Sequence, residues 1–394
     1  VTIVAGIVFG MAPALLASRI DPEVVLRAGS SGTSTRGHAS VREALVVIEV
    51  ALAVVLVSGA GLMTETLWRL SRVDLGFRPH AVMIVRIQPS SGQVKSVGAT
   101  TQYFDELTRR IAAIPGVRNV GAAQHLPLSG FNWMGKLDIE TRPLRTTATH
   151  PSVVWRSVVG DYFGAMSIPL LRGRLFTATD TRSAPPVVVI NVTMAKHFWP
   201  DRDPIGERIR LGNGSRNEWA TIVGIVGDVR SASPDLPAPD EAYRPNTQQG
   251  LVFMHFVIRG SNRPLSIAPQ VRAAVRSFDK TVPIAEVRSL DDIFATSTAG
   301  RRTVAILLAA FAGIGLVLGA VGIYGVIGYA VSQRTRELGI RTALGAVESR
   351  ITMMVIGEGL RMTTIGVAIG IVVALIAARS LRALVFGVTT GDPP

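Results

Sequence analysis

The sequence predicts an α-helical membrane protein carrying one α+β domain outside the bilayer, and three observations predict it. Two apolar runs are long enough to cross a bilayer: 21 residues from Ala44 to Thr64, broken only by Glu49, and 29 uncharged residues from Thr303 to Val331. About 20 apolar residues suffice for that crossing. Between them lie about 230 residues in which turn residues and apolar periodicities alternate as in a water-soluble fold. The composition agrees: 48% hydrophobic and 18% charged residues, with mean hydropathy +0.36, suit a membrane protein with a sizeable water-facing part.

The opening "VTIVAGIVFGMAPALLAS" (1–18) is apolar but has no basic leader, and Arg19 lies on the wrong side for a signal peptide. It reads as the end of a spanning helix. With a first residue that is not Met and an end at "GVTTGDPP", the chain reads as a fragment of a longer one. A linker (19–43) leads to a span at 44–66, the folded domain at 67–299 and a second span at 300–331. A loop (332–350) then leads to a further span at 351–378 and a short segment, 379–394. That last span carries Glu358 and Arg361 near its start, an i,i+3 pair suited to an interface.

Inside the domain, "AVMIVRIQ" (81–88), "PPVVVIN", "ATIVGIVGDV" and "VPIAEV" read as strands from their β-branched runs. Thr100 to Ile114 reads as an amphipathic helix with Phe104, Leu107, Ile111 and Ile114 on one face, stopped by Pro115-Gly116. "LSIAPQVRAAVRSF" reads as a second helix.

Several chemistries lack their starting geometry. The net charge is +13 and 37 of the 41 basic residues are arginine, but they are scattered and no aromatic-rich basic motif accompanies them, so nothing points to nucleic acid. With no cysteine, disulfides, thiolate metal sites and catalytic thiols are excluded. "GFNWMGKL" (130–137) matches a phosphate-loop spacing, but Leu137 stands where a magnesium-binding hydroxyl is needed, and the following residues look extended. His125 and His197 read as loop and helix-surface residues, and Asp201 and Asp203 as parts of a turn. Lys and Arg near the spans divide eight against eight between the two sides, so charge leaves the orientation open.

The loop "SQRTRELGIRTALGA" (332–346) holds four charges between two spans. Ile340, Leu344, Val347 and Ile351 form one helical stripe, and Glu337 and Arg341 an i,i+4 pair. Gly339 and Gly345 each cost about 1 kcal/mol of helicity relative to alanine. The segment predicts a short amphipathic helix across the membrane face, either resting on headgroups or offering charges to a partner. Gly315-x-x-x-Gly319 and Gly366-x-x-x-Gly370 predict close helix packing, as do Gly322, Gly325 and Gly328, which continue from Gly319 at every third residue. Glu49 reads as a relay, a packing partner or a residue near the interface of a helix starting near Val41.

"YGVIGYAVSQRTRELGIRTALGA" (324–346) resembles the signature of MacB/FtsX-type ABC transporter permeases, where a span runs into a cytoplasmic coupling helix. "PGVRNVGAAQHLPLSG" (115–130), "DYFGAMSIPLLRGRLFTATD" (161–180), "PPVVVINVTMAKHFWPDRDPIGERIRLG" (185–212) and "IVGIVGDVR" (222–230) resemble that family's periplasmic core domain. "APALLASRIDPEVVLRAG" (12–29) resembles the end of a preceding permease half, as in the duplicated orphan permeases.

The resemblance implies a type VII ABC, or mechanotransmission, architecture. Its periplasmic domain has a porter-like βαβ part with an inserted sabre part, and it sits in the bacterial inner membrane with loops 19–43 and 332–350 in the cytoplasm. It implies no enzyme activity and no cofactor in this chain, ATP being bound by an ABC-type ATPase partner. The coupling surface would be Arg334, Arg336, Glu337, Leu338, Gly339, Arg341, Ala343, Leu344 and Gly345. Stalks would extend the spans around 65–72 and 296–304. Other implied partners are the lipid bilayer, a periplasmic protein and a duplicated half forming a dimer or pseudo-dimer. Efflux, extrusion and regulation of envelope processes all fit. The rival reading is a membrane-anchored periplasmic sensor or ligand-binding protein without transport.

Overall fold

A computed structural model describes residues 34–386, apart from 90–93, 95, 143–149, 213–217, 261–262, 334, 336–338, 341–342 and 344–347. Along the chain run α1 (Ser34–Leu70), β1 (Val82–Ile87), α2 (Val97–Ala112), β2 (Asn119–Ala123), β3 (Met134–Ile139), β4 (Ser152–Gly160) and α3 (Tyr162–Met166). Then come β5 (Leu170–Gly173), β6 (Val187–Asn191), α4 (Val192–Phe198), β7 (Arg208–Leu211), β8 (Ala220–Val226), β9 (Glu241–Pro245) and α5 (Asn246–Gln249). The last elements are β10 (Met254–Arg259), α6 (Ala268–Phe278), β11 (Ile284–Ser289), α7 (Leu290–Gln333) and α8 (Glu348–Phe386). Two compact units result: residues 65–303, and the apolar helical residues on either side of them.

Among the described residues, three helices are long and apolar enough to cross a membrane: Ser40–Leu70, Leu290–Ser332 and Thr352–Ala377. Helix α7 has 44 residues, about 66 Å at 1.5 Å per residue. That is about twice the ~30 Å hydrocarbon core, so helix continues beyond the apolar run. The sequence spans stop where hydropathy stops, whereas the helical backbone needs only residues compatible with helix. The segment 1–18 lies outside the described residues.

The ectodomain begins with a four-stranded antiparallel sheet ordered β11-β1-β10-β2. With α2 and α6 it forms the split β-α-β…β-α-β pattern of ferredoxin-like folds. Side chains alternate across β1: Met83, Val85 and Ile87 join Phe104, Leu107 and Ile111 of α2 and Val271 and Val275 of α6 in one core. Val82 and Ile84 join a second core on the opposite face. Burial on both faces explains why this strand reads as an apolar run interrupted only by Arg86. Helix α2 starts earlier than the apolar stripe, because Ser96 caps it by accepting from the Ala99 amide (3.1 Å).

Everything from β3 to β9 is inserted between β2 and β10. Strand β4 pairs with β3, β3 with β7, β7 with β8, β8 with β6, β6 with β9, and β9 returns to β4 in parallel. The pairings close into a six-stranded ring. All six strands contribute to one core, through Leu137, Trp155, Ile190, Ile209, Ile222 and Ala242. Closure leaves this part with few free sheet edges.

Candidate coupling and transmission sites

In the helical unit, α1 is packed by both other long helices. A Cβ on Gly315 would lie 3.4 Å from Ala53, one on Gly319 3.7 Å from Val50, and one on Gly322 3.0 Å from Glu49. On α8, a Cβ on Gly366 would lie 2.8 Å from Val50, and one on Gly370 2.7 Å from Val54 and 2.8 Å from the Ala51 carbonyl. The pairings 50–366 and 54–370 rise together, so α1 and α8 run parallel. The pairings 53–315 and 50–319 run oppositely, so α1 and α7 are antiparallel. Glycine here admits a neighbouring helix at backbone distance.

Gly325 and Gly328 depart from the expected packing. A Cβ on either meets nothing within 4 Å among the described residues. At 100° per residue, each three-residue step falls 60° short of a full turn, so the series leaves the seam that Gly315, Gly319 and Gly322 follow. Glu49 lies well inside α1, which starts at Ser34 rather than near Val41, and its carboxylate faces Gly322. It is a packing partner in that seam.

Of the coupling residues, Gly339 and Ala343 lie on helical backbone and are exposed. A Cβ on Gly339 would meet nothing within 4 Å among the described residues. Arg334, Arg336, Glu337, Leu338, Arg341, Leu344 and Gly345 lie outside the described residues.

The ectodomain holds a feature that no local pattern signals. Arg156 of β4, 1% exposed, forms an ion pair with Glu241 of β9, fully buried. Arg156 also donates to the His125 carbonyl (2.6 Å) and to Asn132 Oδ1 (2.9 Å), fastening the loop after β2. Burial opposes the charge on Arg156, but Glu241 together with Tyr162 and Tyr243 outweighs it and raises the guanidinium above its ordinary value.

His125 lies in the loop after β2, as read, but is buried there: the rings of Phe131, Trp133 and Phe253 surround it at 4.8, 5.0 and 5.4 Å. Burial, then Arg156, then His255 push its imidazole down to about 4, so it is neutral at pH 7. Between about 6.5 and about 4 the unfolded chain takes up a proton that the fold refuses. Stability is therefore present above pH 6.5 and lost as pH falls toward 4, by about 3 kcal/mol for a shift of that size. Unfolding followed by tryptophan fluorescence from pH 7 to pH 4 should show this loss, and His125→Phe should remove that part of it. Parallel profiles for the two proteins would contradict it.

The "GFNWMGKL" stretch runs through a turn at Gly130 into β3, which carries Gly135, Lys136 and Leu137. A strand supplies no helix N-terminus to cradle phosphate. His197 pairs with Asp240 (2.8 Å), and Asp203 turns the chain by accepting from the Ile205 amide (3.1 Å). A groove of about 980 Å³ lies between α2 and the 174–183 segment, walled by Thr101, Asp105, Phe163 and Phe176. Desolvation there raises the Asp105 carboxyl against the pull of Arg109. Its size is that of a small-molecule site.

The family model described as "MacB-like periplasmic core domain" matches residues 44–301, and "FtsX-like permease C-terminal" matches residues 309–391. A "Probable export ATP-binding/permease protein" of Pseudomonas fluorescens is 31% identical over 218 residues, 53% of this chain and 33% of that protein. The "Macrolide export ATP-binding/permease protein MacB" of Chromobacterium violaceum is 27% identical over 266 residues, 65% of this chain and 40% of that protein. The chain thus spans 40% or less of the length of these two relatives. The solved periplasmic region of MacB from Actinobacillus actinomycetemcomitans is 15% identical with a TM-score of 0.37, covering 56% of this chain and 94% of that one. With a family model matched over well more than half its length, the chain belongs to the membrane proteins with a MacB-like periplasmic core domain, of the MacB/FtsX permease type.

Proposed function

We propose that this chain is the permease subunit of a bacterial ABC system in the inner membrane, transmitting ATP-driven motion of a partner ATPase to its periplasmic domain. The observation that carries this reading is the pair of adjoining family matches, core domain at 44–301 and permease region at 309–391, on one chain. Helices α1 and α7 lead into and out of the ectodomain as unbroken rods, which suits the transfer of displacement. The relatives' names join ATP binding to the permease; here the ATP site is assigned to a separate ATPase, which meets the 332–346 segment from the cytoplasm.

The test is a photo-crosslinking residue in place of Leu344 in the full-length protein in its native host, with covalent partners identified by mass spectrometry. A Walker-motif ATPase is expected, and its recovery should fall when Glu337→Lys and Arg341→Glu are introduced together. Recovery of lipid alone would instead leave an anchored periplasmic receptor, with the groove at Asp105 as its candidate ligand site.

A further inference from the structure

The connection between β8 and β9 touches, within residues 65–303, both chain segments that join the ectodomain to the long helices. On one side it meets the turn that follows α1. The Arg230 amide donates to the Leu75 carbonyl (3.0 Å). Gly76, at φ +76°, lies so close to Asp228 that a Cβ would sit 1.7 Å from the Asp228 carbonyl oxygen. No other residue fits there without parting the two strands of chain. On the other side it meets α7: Asp235 Oδ2 lies 2.8 Å from Arg301 Nη2. The other terminal nitrogen of Arg301 is buried with no hydrogen-bond partner, so this guanidinium depends on Asp235. Burial works against the Asp235 charge, but the Ser233 hydroxyl and Arg301 outweigh it and hold the carboxyl below its usual value.

The connection itself is stiff. Pro234, Pro237 and Pro239 fix three backbone angles within six residues. Arg230 braces it from inside, donating to the Leu236 carbonyl (2.7 Å) and the Pro234 carbonyl (3.3 Å). Val229 is fully buried in the core that also holds Leu75 and Leu290. Both ends of the connection are ring strands, so a displacement imposed at Leu75 or Arg301 is delivered to the ring instead of being absorbed by a loose loop.

We propose that residues 227–240 form a tie-rod, with Gly76, Asp235 and Arg301 as positioning residues, which makes the six-stranded ring follow the helices α1 and α7 during the nucleotide cycle. This rests on the permease reading above. The paired side chains are 35% and 33% exposed, and a pair open to water in this way contributes little to stability, so its removal should uncouple motion while leaving the fold intact.

The 394 residues contain no cysteine, so, with any cysteine elsewhere in the full-length protein replaced, spin labels at Gln102→Cys on α2 and Asp201→Cys beside the ring, both exposed, report their separation. The full-length protein, reconstituted with its ATPase in nanodiscs, is measured by double electron–electron resonance with and without ATP and vanadate. The parent should show a nucleotide-dependent change in separation. Asp235→Ala and Arg301→Ala should each at least halve it, and the exchange Asp235→Arg with Arg301→Asp should restore it. Gly76→Ala should also diminish it, by a route independent of charge. Melting temperatures of the Asp235 and Arg301 variants should stay with the parent, which separates coupling from a structural role. Full-sized motion in both single variants overturns the tie-rod. So does a motionless parent whose position 344 still crosslinks the ATPase, with the permease reading intact. A parent that fails to crosslink the ATPase sinks that reading, and the tie-rod with it.

Discussion

Replacing Glu241 by alanine is expected to destabilise the ectodomain by about 3–5 kcal/mol, the usual cost of leaving one member of a buried ion pair without its partner. The reason is the position of Arg156: with 1% exposure its guanidinium has no route to water. Its remaining acceptors, the His125 carbonyl and Asn132, carry no full negative charge. The loss should reach the loop that Arg156 fastens, and so disturb the aromatic ring cluster around His125. Replacing both partners, Arg156→Met with Glu241→Leu, should cost far less, because an apolar pair of similar volume avoids burying any charge. Chemical denaturation of the full-length protein, followed by tryptophan fluorescence, measures both; Trp155 is the neighbour of Arg156 on β4 and reports locally. A loss under about 1 kcal/mol for Glu241→Ala, the size of an exposed pair, would mean that the pair is not buried in solution.

The second large effect is expected at Gly370. Valine there has to displace Val54, whose Cβ is 2.7 Å from the added atom, and the Ala51 carbonyl at 2.8 Å. The carbonyl is backbone and cannot rotate away, so α8 must shift off α1. Overpacking of this kind costs about 1–3 kcal/mol, occasionally more. Gly325→Val is the matched control, since an added Cβ at that position meets nothing within 4 Å among the described residues. Melting of the two variants in detergent, followed by size-exclusion chromatography, should show a clear drop for Gly370→Val and little change for Gly325→Val. Equal drops would place a further packing partner against Gly325.

What could be read in advance depended on whether the cause was local. Strand β1 announces itself as a β-branched apolar run, and helices α2 and α6 because their burial follows a period of 3.6 residues. The seam glycines at 315, 319, 366 and 370 were legible for the same reason, since a four-residue spacing stays on one helix face. Strand β4 was not legible. It places Arg156 and Ser157 mid-strand, and what makes them tolerable is Glu241 and Asn246, more than 80 residues away. Strand β2 hid behind Gly121, which reads as a turn residue but admits the backbone of Tyr162, whose nitrogen would lie 2.3 Å from an added Cβ. Strand β9, "EAYRP", holds two charges and a proline, yet every residue in it is buried. The tie between Asp235 and Arg301 spans 66 positions and leaves no periodic trace.

The way the ring is inserted has a consequence for how such a chain can be remodelled. Ala123 at the end of β2 and His255 at the start of β10 are directly paired across neighbouring strands. The two points where the insert departs and returns are therefore a hairpin's width apart, close enough for a turn of a few residues to bridge. A module exchanged for the ring would still have to pair a strand with β2, as β4 does, and cover the sheet face that holds Val82 and Ile84. Remodelling is therefore constrained at that shared strand and core, and not by the distance between the two crossings of the chain.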